Sequence, residues 1–314
     1  MHKLILITGA TGFIGKALEA RLRAEGYSVR RAVRHESIDP DEIKCTLNDN
    51  VDLWRKALDG VDCVFHLAWS TVPSTANIAP MSDATTNLLG TISLLEAIKH
   101  TRGIPLIFAS SGGTVYGIPE TTPITESHPL RPGGVYGATK VAAENYLMAY
   151  RRQFGVDARI LRLSNPFGPG QNTEGQLGAA TVFAWRALLN RPIEIWGDGS
   201  VVRDYLFISD CVSALIAAMK IPASRLQEVD PIFNVGSGQG VSLAQIVEVI
   251  GKALHRKIEI DFQSARTFDI PINVLDVERA KRILNWSPTI CFEEGIRLTL
   301  ESFAKTMSSK HKSQ

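Results

Sequence analysis

Two groups of residues in this 314-residue chain could do chemistry together: Gly9, Gly12 and Gly15, spaced G-x-x-G-x-x-G, and Tyr136, four residues before Lys140. The glycines lie between an apolar run and a helical pattern. There a backbone can turn tightly against a pyrophosphate, and the helix N-terminus meets its charge. A phenol has an ordinary pKa of about 10, so Tyr136 acts as a base near neutrality only if its anion is stabilised. Lys140, about one helical turn further on, can do this together with a positive nicotinamide. A dinucleotide cradle joined to a proton-moving phenol describes a redox enzyme, and neither motif alone supports that reading. Upstream, Ser110-Ser111 end a buried strand, where a hydroxyl could steady a substrate oxygen beside the phenol. Ser111, at the strand terminus, and Thr114 are both candidates.

These groups need a scaffold, and the chain spells one out. Leu4 to Thr8, Ser28 to Val33, Cys63 to Ala68, Leu106 to Ser110 and Arg159 to Leu163 are continuous aliphatic runs suited to strands buried on both faces. Between them, Phe13 to Glu25, Asn50 to Leu58, Ala84 to His100 and Gly137 to Phe154 have helical apolar spacing. The alternation predicts an α/β fold: a Rossmann-type doubly wound parallel sheet over residues 1–165, with a smaller C-terminal α/β lobe over 166–306 and a tail over 307–314. Elements of the lobe are expected to exchange back into the first domain. Within it, Ser237 to Ser242 offers a cap for a helix from Leu243 to Leu254, and Ile258 to Phe262 suggests a short strand.

Composition narrows the function. Thirty-four basic residues against 32 acidic ones give a net charge of +2, too balanced for a nucleic-acid or membrane surface. Cys45, Cys63, Cys211 and Cys291 are widely spaced, so neither zinc nor a disulfide framework is indicated. The apolar N-terminal run breaks into a glycine turn, and no segment approaches the roughly 18 apolar residues that span a bilayer, so a soluble cytoplasmic protein is expected. At the end of the second strand, where an acid would bind a ribose 2′-hydroxyl, the chain has Val33-Arg34. The usual NAD selector is missing, which leaves NADP open.

The ordered series TGATGFIG (Thr8 to Gly15), HLA (His66 to Ala68), Asn87 with Gly90-Thr91, SSGGTVYG (Ser110 to Gly117) and YGATK (Tyr136 to Lys140) resembles the extended short-chain dehydrogenase/reductases, especially UDP-galactose 4-epimerases. The similarity continues through LRLSNPFGPGQ from Leu161, IWGDGSVVRDYLFISD from Ile195, FNVGSG from Phe233 and Arg266 to Asp269. The resemblance implies that tightly bound NAD sits against Gly9, Thr11, Gly12, Phe13, Ile14, Gly15, Arg34, Leu67, Ala68, Asn87 and Lys140. It implies that Ser111, Tyr136 and Lys140 are catalytic. It also implies that Asn165, Arg203 and Arg266 contact the diphosphate of a UDP-sugar, with Asp269 near the ribose and Leu177 lining the pocket. Trp196 matches an aromatic position against uracil; a core tryptophan is the alternative. Asn273 matches a gate beside the sugar's C2 substituent; a solvent-facing loop asparagine is the alternative.

The departures also inform. Dehydratases and decarboxylases of this superfamily carry an acid after the strand-end hydroxyl, where this chain has Gly112-Gly113-Thr114. Gly112 also replaces a third serine of similar epimerases, which keeps Ser111 and Thr114 level. The resemblance therefore implies reversible epimerisation at C4 of a UDP-hexose. An NADPH-dependent 4-ketosugar reductase and a non-catalytic cofactor sensor are the alternatives. Similar proteins pair through two helices, here Ala84 to His100 and Gly137 to Phe154, so a homodimer is expected.

Overall fold

Runs of Leu, Ile, Val and Phe too short for helices bury both their faces by joining a parallel sheet. The computed structural model describes residues 3–37, 39–101, 103–174, 178–264 and 270–311. The first half comprises β1 (Leu4–Thr8), α1 (Phe13–Ala24), β2 (Ser28–Val33), β3 (Glu42–Lys44), α2 (Val51–Ala57) and β4 (Cys63–His66). It continues through α3 (Pro73–Ile78), α4 (Pro80–Asp83), a π-helical turn (Ala84–Leu89), α5 (Gly90–Ile98), β5 (Leu106–Ser111), α6 (Val135–Phe154) and β6 (Ala158–Leu163). The remainder contributes β7 (Asn165–Phe167), α7 (Ala179–Leu188), β8 (Ile193–Trp196), β9 (Val202–Phe207), α8 (Ile208–Lys220) and β10 (Ile232–Val235). It ends with β11 (Gly240–Ser242), α9 (Leu243–Ala253), β12 (Ile260–Gln263), β13 (Ile272–Asn273) and α10 (Phe292–His311).

Seven strands pair in parallel in the order β10-β6-β5-β4-β1-β2-β3. From β1 the chain steps outward through β2 and β3, then crosses back to build the other side from β4. The crevice at the carboxyl ends of β1 and β4 is the switch point at which such sheets bind ligands. Alternate residues of each strand serve opposite layers. Ile5, Ile7 and Phe65 pack with Leu18 of α1 and Leu215 of α8, whereas Leu6, Val64 and Phe108 pack with Trp54 of α2, Leu94 of α5 and Leu147 of α6.

The second half forms two small sheets. β9 is flanked by β11, β13 and β7, and β8 pairs in parallel with β12. It also returns β10 to the edge of the large sheet and lays α8 against that sheet's face. A capping box starts α9: Gln245 N donates to Ser242 Oγ at 3.1 Å, and Ser242 N donates to Gln245 Oε1 at 2.8 Å. Several boundaries differ from the sequence expectation. α6 starts at Val135, so Tyr136 lies inside its first turn; β4 ends at His66; α10 continues through His311. No described helix is long and apolar enough to cross a membrane.

Candidate active site

At the end of β1 the backbone is sterically determined. Gly9 has φ +71°, and a Cβ there would lie 2.8 Å from Ala68 N; a Cβ on Gly15 would lie 2.2 Å from Gly9 O. Only hydrogen fits at either place, so α1 begins close against β1 and the 67–68 turn. Gly12 is the N-cap of α1 and supplies no side-chain cap. The first amides of the helix, from Phe13, Ile14 and Gly15, therefore point out of its N-terminus without intrahelical acceptors. With Thr11 and Gly12 exposed beside them, they form an anion-binding end that fits a pyrophosphate. Arg34 stands exposed just past β2.

A buried polar chain anchors this cradle. Thr8 Oγ1 lies 2.9 Å from His66 Nδ1 and accepts from Ala68 N at 3.0 Å. His66 Nε2 lies 3.1 Å from Thr91 Oγ1, which donates to Asn87 O at 2.7 Å. The Thr91 proton is thus committed, so His66 donates from Nε2 and accepts at Nδ1 as a neutral imidazole. Burial, aided by the Lys140 charge, pulls its pKa down to about 3. Asn87, fully buried in the π-helical turn, accepts from Ser70 N at 2.8 Å and donates to Asp83 Oδ1 at 2.9 Å. These bonds tie α5, the loop after β4 and the glycine turn together.

Tyr136 and Lys140 sit one turn apart on α6, whose N-cap is Gly134. Gly137 allows the close approach: its Cβ would fall 2.7 Å from Thr114 O. The start of the helix thereby lies against the loop that follows Ser111, and the Tyr136 ring meets the edge of Trp69 at 6.2 Å between centres. Lys140 is buried, donates to Ala109 O at 2.7 Å, and its Nζ lies 3.6 Å from the Trp69 ring centre and 4.7 Å from that of Phe108. Burial, opposed by the Glu144 and Asp83 charges, lowers its pKa to about 7. The surrounding protein, with the Asp83 charge second, pushes Tyr136 above the usual phenol range, while Lys140 Nζ lies 5.8 Å from its ring centre, engaged elsewhere.

Below the strand end lies a network that sequence reasoning missed. Ser110 Oγ donates to Glu144 Oε1, Arg162 bonds Glu144 through Nη2 at 2.7 Å, and Arg162 Nη1 donates to Tyr116 Oη at 2.9 Å. Tyr116 in turn donates to Asn234 Oδ1 at 2.6 Å, so β5, β6, α6 and β10 share one buried, satisfied cluster. A lone glutamate in a helix and an arginine in a strand give no sequence signal of their pairing. Ser110 is thereby occupied, leaving Ser111 and Thr114 as hydroxyls for the site. Thr114 Oγ1 is buried with no hydrogen-bond partner among the described residues.

On the second lobe, Asn165 donates from Nδ2 to Asp204 O at 2.9 Å and pairs in register with Tyr205. Arg203, two residues earlier on β9, donates to Val202 O at 2.9 Å and pairs with Asn273 of β13. Asn273 is fully buried and donates to Gly112 O at 3.2 Å, which rules out the solvent-facing alternative. Asn273 thus meets the loop after Ser111 at Gly112, Asn165 Oδ1 lies 3.9 Å from where a Cβ on Gly113 would sit, and Arg203 stands beside Asn273 on the neighbouring strand. Trp196 stands on β8 rather than on that sheet, and at 40% exposure it is not a core tryptophan. Leu177, Arg266 and Asp269 lie outside the described residues.

Residues 5–236 match the sequence profile of the NAD dependent epimerase/dehydratase family. A UDP-glucose 4-epimerase of Mycolicibacterium smegmatis is 35% identical over 310 residues, 95% of this chain and 97% of that protein. A dTDP-4-dehydro-6-deoxyglucose reductase of Escherichia coli is 30% identical, covering 95% and 96% respectively. The crystal structure of Thermus thermophilus UDP-glucose 4-epimerase in complex with NAD superposes with a TM-score of 0.83 at 30% identity, over 96% of this chain and 99% of that one.

Proposed function

Because this chain belongs to the NAD-dependent epimerase/dehydratase family, we propose that it is a nucleotide-sugar 4-epimerase interconverting a UDP-hexose and its C4 epimer. The observation that carries this reading is the contact at Gly137, where the Tyr136–Lys140 turn meets a strand-end loop of hydroxyls, Ser111 and Thr114, that holds no carboxylate. Dehydration needs an acid at that loop; moving a proton on and off a sugar oxygen does not.

Gly9, Thr11, Gly12, Phe13, Ile14, Gly15, Leu67, Ala68, Asn87 and Lys140 would hold NAD, which when bound supplies the hydride acceptor and donor. Tyr136 takes the C4 hydroxyl proton as C4 is oxidised and returns it when C4 is reduced on its other face, so protons balance over the cycle. Lys140 keeps a positive charge near the phenolate. Thr114, whose buried oxygen lacks a partner among the described residues, or Ser111 donates to the C4 oxygen. Arg203 and Asn165, joined by Arg266, Asp269 and Leu177, grip the nucleotide, and Trp196 covers the uracil, while the sugar stays free to turn over. Arginine suits this task because its planar fork matches diphosphate oxygens.

A reductase using NADPH shares these residues and is favoured by one observation, the exposed Arg34 where an acid would select NAD. We further propose a homodimer, supported by the apolar side chains that Met81, Leu89, Tyr146 and Phe154 expose on and beside α5 and α6. Light scattering at micromolar concentration would return the dimer mass, and a monomer would refute it.

Incubation of the purified protein with UDP-glucose, UDP-N-acetylglucosamine and their uronic acids, without added cofactor, tests the main reading. C4 isomers of one pair should appear, and native mass spectrometry should find copurified NAD. Tyr136→Phe should keep the cofactor and lose turnover about a thousandfold; full activity would sink the assignment. If isomers fail to appear until NADPH and a ketosugar are supplied, the reductase takes its place.

A further inference from the structure

Asp83, the last residue of α4, is completely buried. Its Oδ1 accepts from Asn87 Nδ2 at 2.9 Å and from Thr71 Oγ1, and its Oδ2 accepts from Thr139 Oγ1 at 2.5 Å. Thr139 is the residue before Lys140 and lies between it and Tyr136 on α6. Asn87 and Thr71 belong to the cofactor side, where Asn87 also accepts from Ser70 N. One carboxylate therefore clamps the first turn of the catalytic helix to the cofactor crevice.

Of the other ionisable groups around the Tyr136–Lys140 pair, Glu144 has a cationic partner, though its charge still reaches Lys140, and His66 is uncharged. Glu144, further along α6, is bonded by both Nε and Nη2 of Arg162. His66, on β4, is a neutral imidazole. β5 presents only the Ala109 carbonyl and the Phe108 ring, and the loop after β4 presents the Trp69 indole. Asp83 has no cationic partner among the described residues; three neutral donors hold it. Its charge is therefore uncompensated where the pair sits, and an anion in a dry site favours the protonated form of every neighbour. It acts in that direction on both members, behind burial for Tyr136 and behind burial and Glu144 for Lys140.

The geometry points to Asp83 as a positioning residue that fixes the first turn of α6 through Thr139 and sets, by its charge, the pH at which the Tyr136–Lys140 pair works. Its kinetic readout rests on the epimerase reading above, whereas its spectroscopic readout does not.

Asp83→Asn removes the charge and keeps the shape. The new amide can donate to Thr139 Oγ1, whose own proton has Val135 O at 3.1 Å. Both limbs of the kcat/KM profile should move to lower pH by about 1 pH unit. The Lys140 midpoint should move the same way in NMR of lysine labelled at Cε and Nζ, assigned with Lys140→Arg. A purely structural role would lower kcat with limbs and midpoint unmoved, and that result overturns the proposal. Thr139→Val, which keeps the charge but cuts the clamp, decides the matter if Asp83→Asn does not fold. It should lower kcat about tenfold without moving the Lys140 midpoint, and an unchanged kcat would refute the positioning role. If the wild-type protein isomerises no UDP-sugar, the epimerase reading falls, and the Lys140 midpoint still judges Asp83.

Discussion

At the glycine turn a single methyl group has no room, with backbone atoms 2.2 to 2.8 Å from the Cβ of Gly15 or Gly9; on β8, Trp196 leaves 40% of its surface open. The cofactor half is built from backbone contacts and buried hydrogen bonds that exist before any ligand arrives. The proposed substrate half presents side chains on two small sheets. On the proposed assignment, binding to the first costs little ordering, so a cofactor can be held through many cycles, whereas the second spends part of its contact energy on arranging side chains. An epimerase needs that inequality, because its cofactor must stay while its sugar turns over.

Asp204 joins the two regions. It lies on β9, next to Arg203, and accepts from Ser237 N at 2.7 Å, Ser237 Oγ at 2.8 Å and Gly238 N at 3.2 Å, all in the turn that follows β10 of the large sheet. Leu275 N, just beyond β13, donates to it at 3.3 Å. Burial raises its pKa even against these donors. The β9 sheet is thus fastened to the seven-stranded sheet at a buried carboxylate beside the proposed diphosphate grip.

The contrast breaks most visibly at Gly15. Gly15→Ala drives a methyl into the Gly9 carbonyl, so the protein should purify without cofactor and lose about 3 kcal/mol of stability. Native mass spectrometry and denaturant unfolding read both, and a variant that retains cofactor would show that the turn is not preformed. Arg203→Ala probes the other half. It should raise KM for the UDP-sugar by about 10- to 100-fold, roughly 1.4 to 2.8 kcal/mol, with cofactor content unchanged; a loss of cofactor instead would erase the division of labour.

His66 sharpens the comparison through pH. Its pKa lies below the unfolded value, so the unfolded chain binds the extra proton between about pH 6.5 and 3. Its contribution is complete above pH 6.5 and is lost as pH falls, by about 1.4 kcal/mol per pH unit. Urea unfolding at stepped pH should show that slope flattened in His66→Gln, and equal slopes would remove His66 from the anchor. The smallest effect is expected at Trp196→Ala, a two- to tenfold rise in KM, about 1 kcal/mol, measured by initial rates; no change would take uracil off β8.

How much of this could be read in the chain follows from what kind of contact each part makes. β1 matches its apolar run residue for residue, because burial on both faces demands such a run, whereas β2 keeps its expected bounds although Arg30 and Arg31 interrupt it and are only partly covered. β4 stops two residues earlier than its run, since Leu67 and Ala68 must turn to meet Gly9. The Ala84 to His100 pattern reads as one helix, yet it opens with a π-helical turn that brings Asn87 to Ser70 and Asp83. Short strands such as β3 and β7 carry too few residues for a period to show. Asp83, Glu144 and Arg162 look like ordinary helix and strand charges until their partners, many residues away, are known.

Sequence by itself determined the glycine turn, the parallel sheet and the Tyr136–Lys140 spacing, because each depends on local sterics or on a period that neighbouring residues express. Tertiary structure alone decided which hydroxyl is occupied, which carboxylate is left uncompensated, and that Asn273 is buried against Gly112. Those outcomes rest on charges and hydrogen bonds between segments 34 to 161 residues apart, and dry proximity, which gives such groups their strength, is created only when the chain folds.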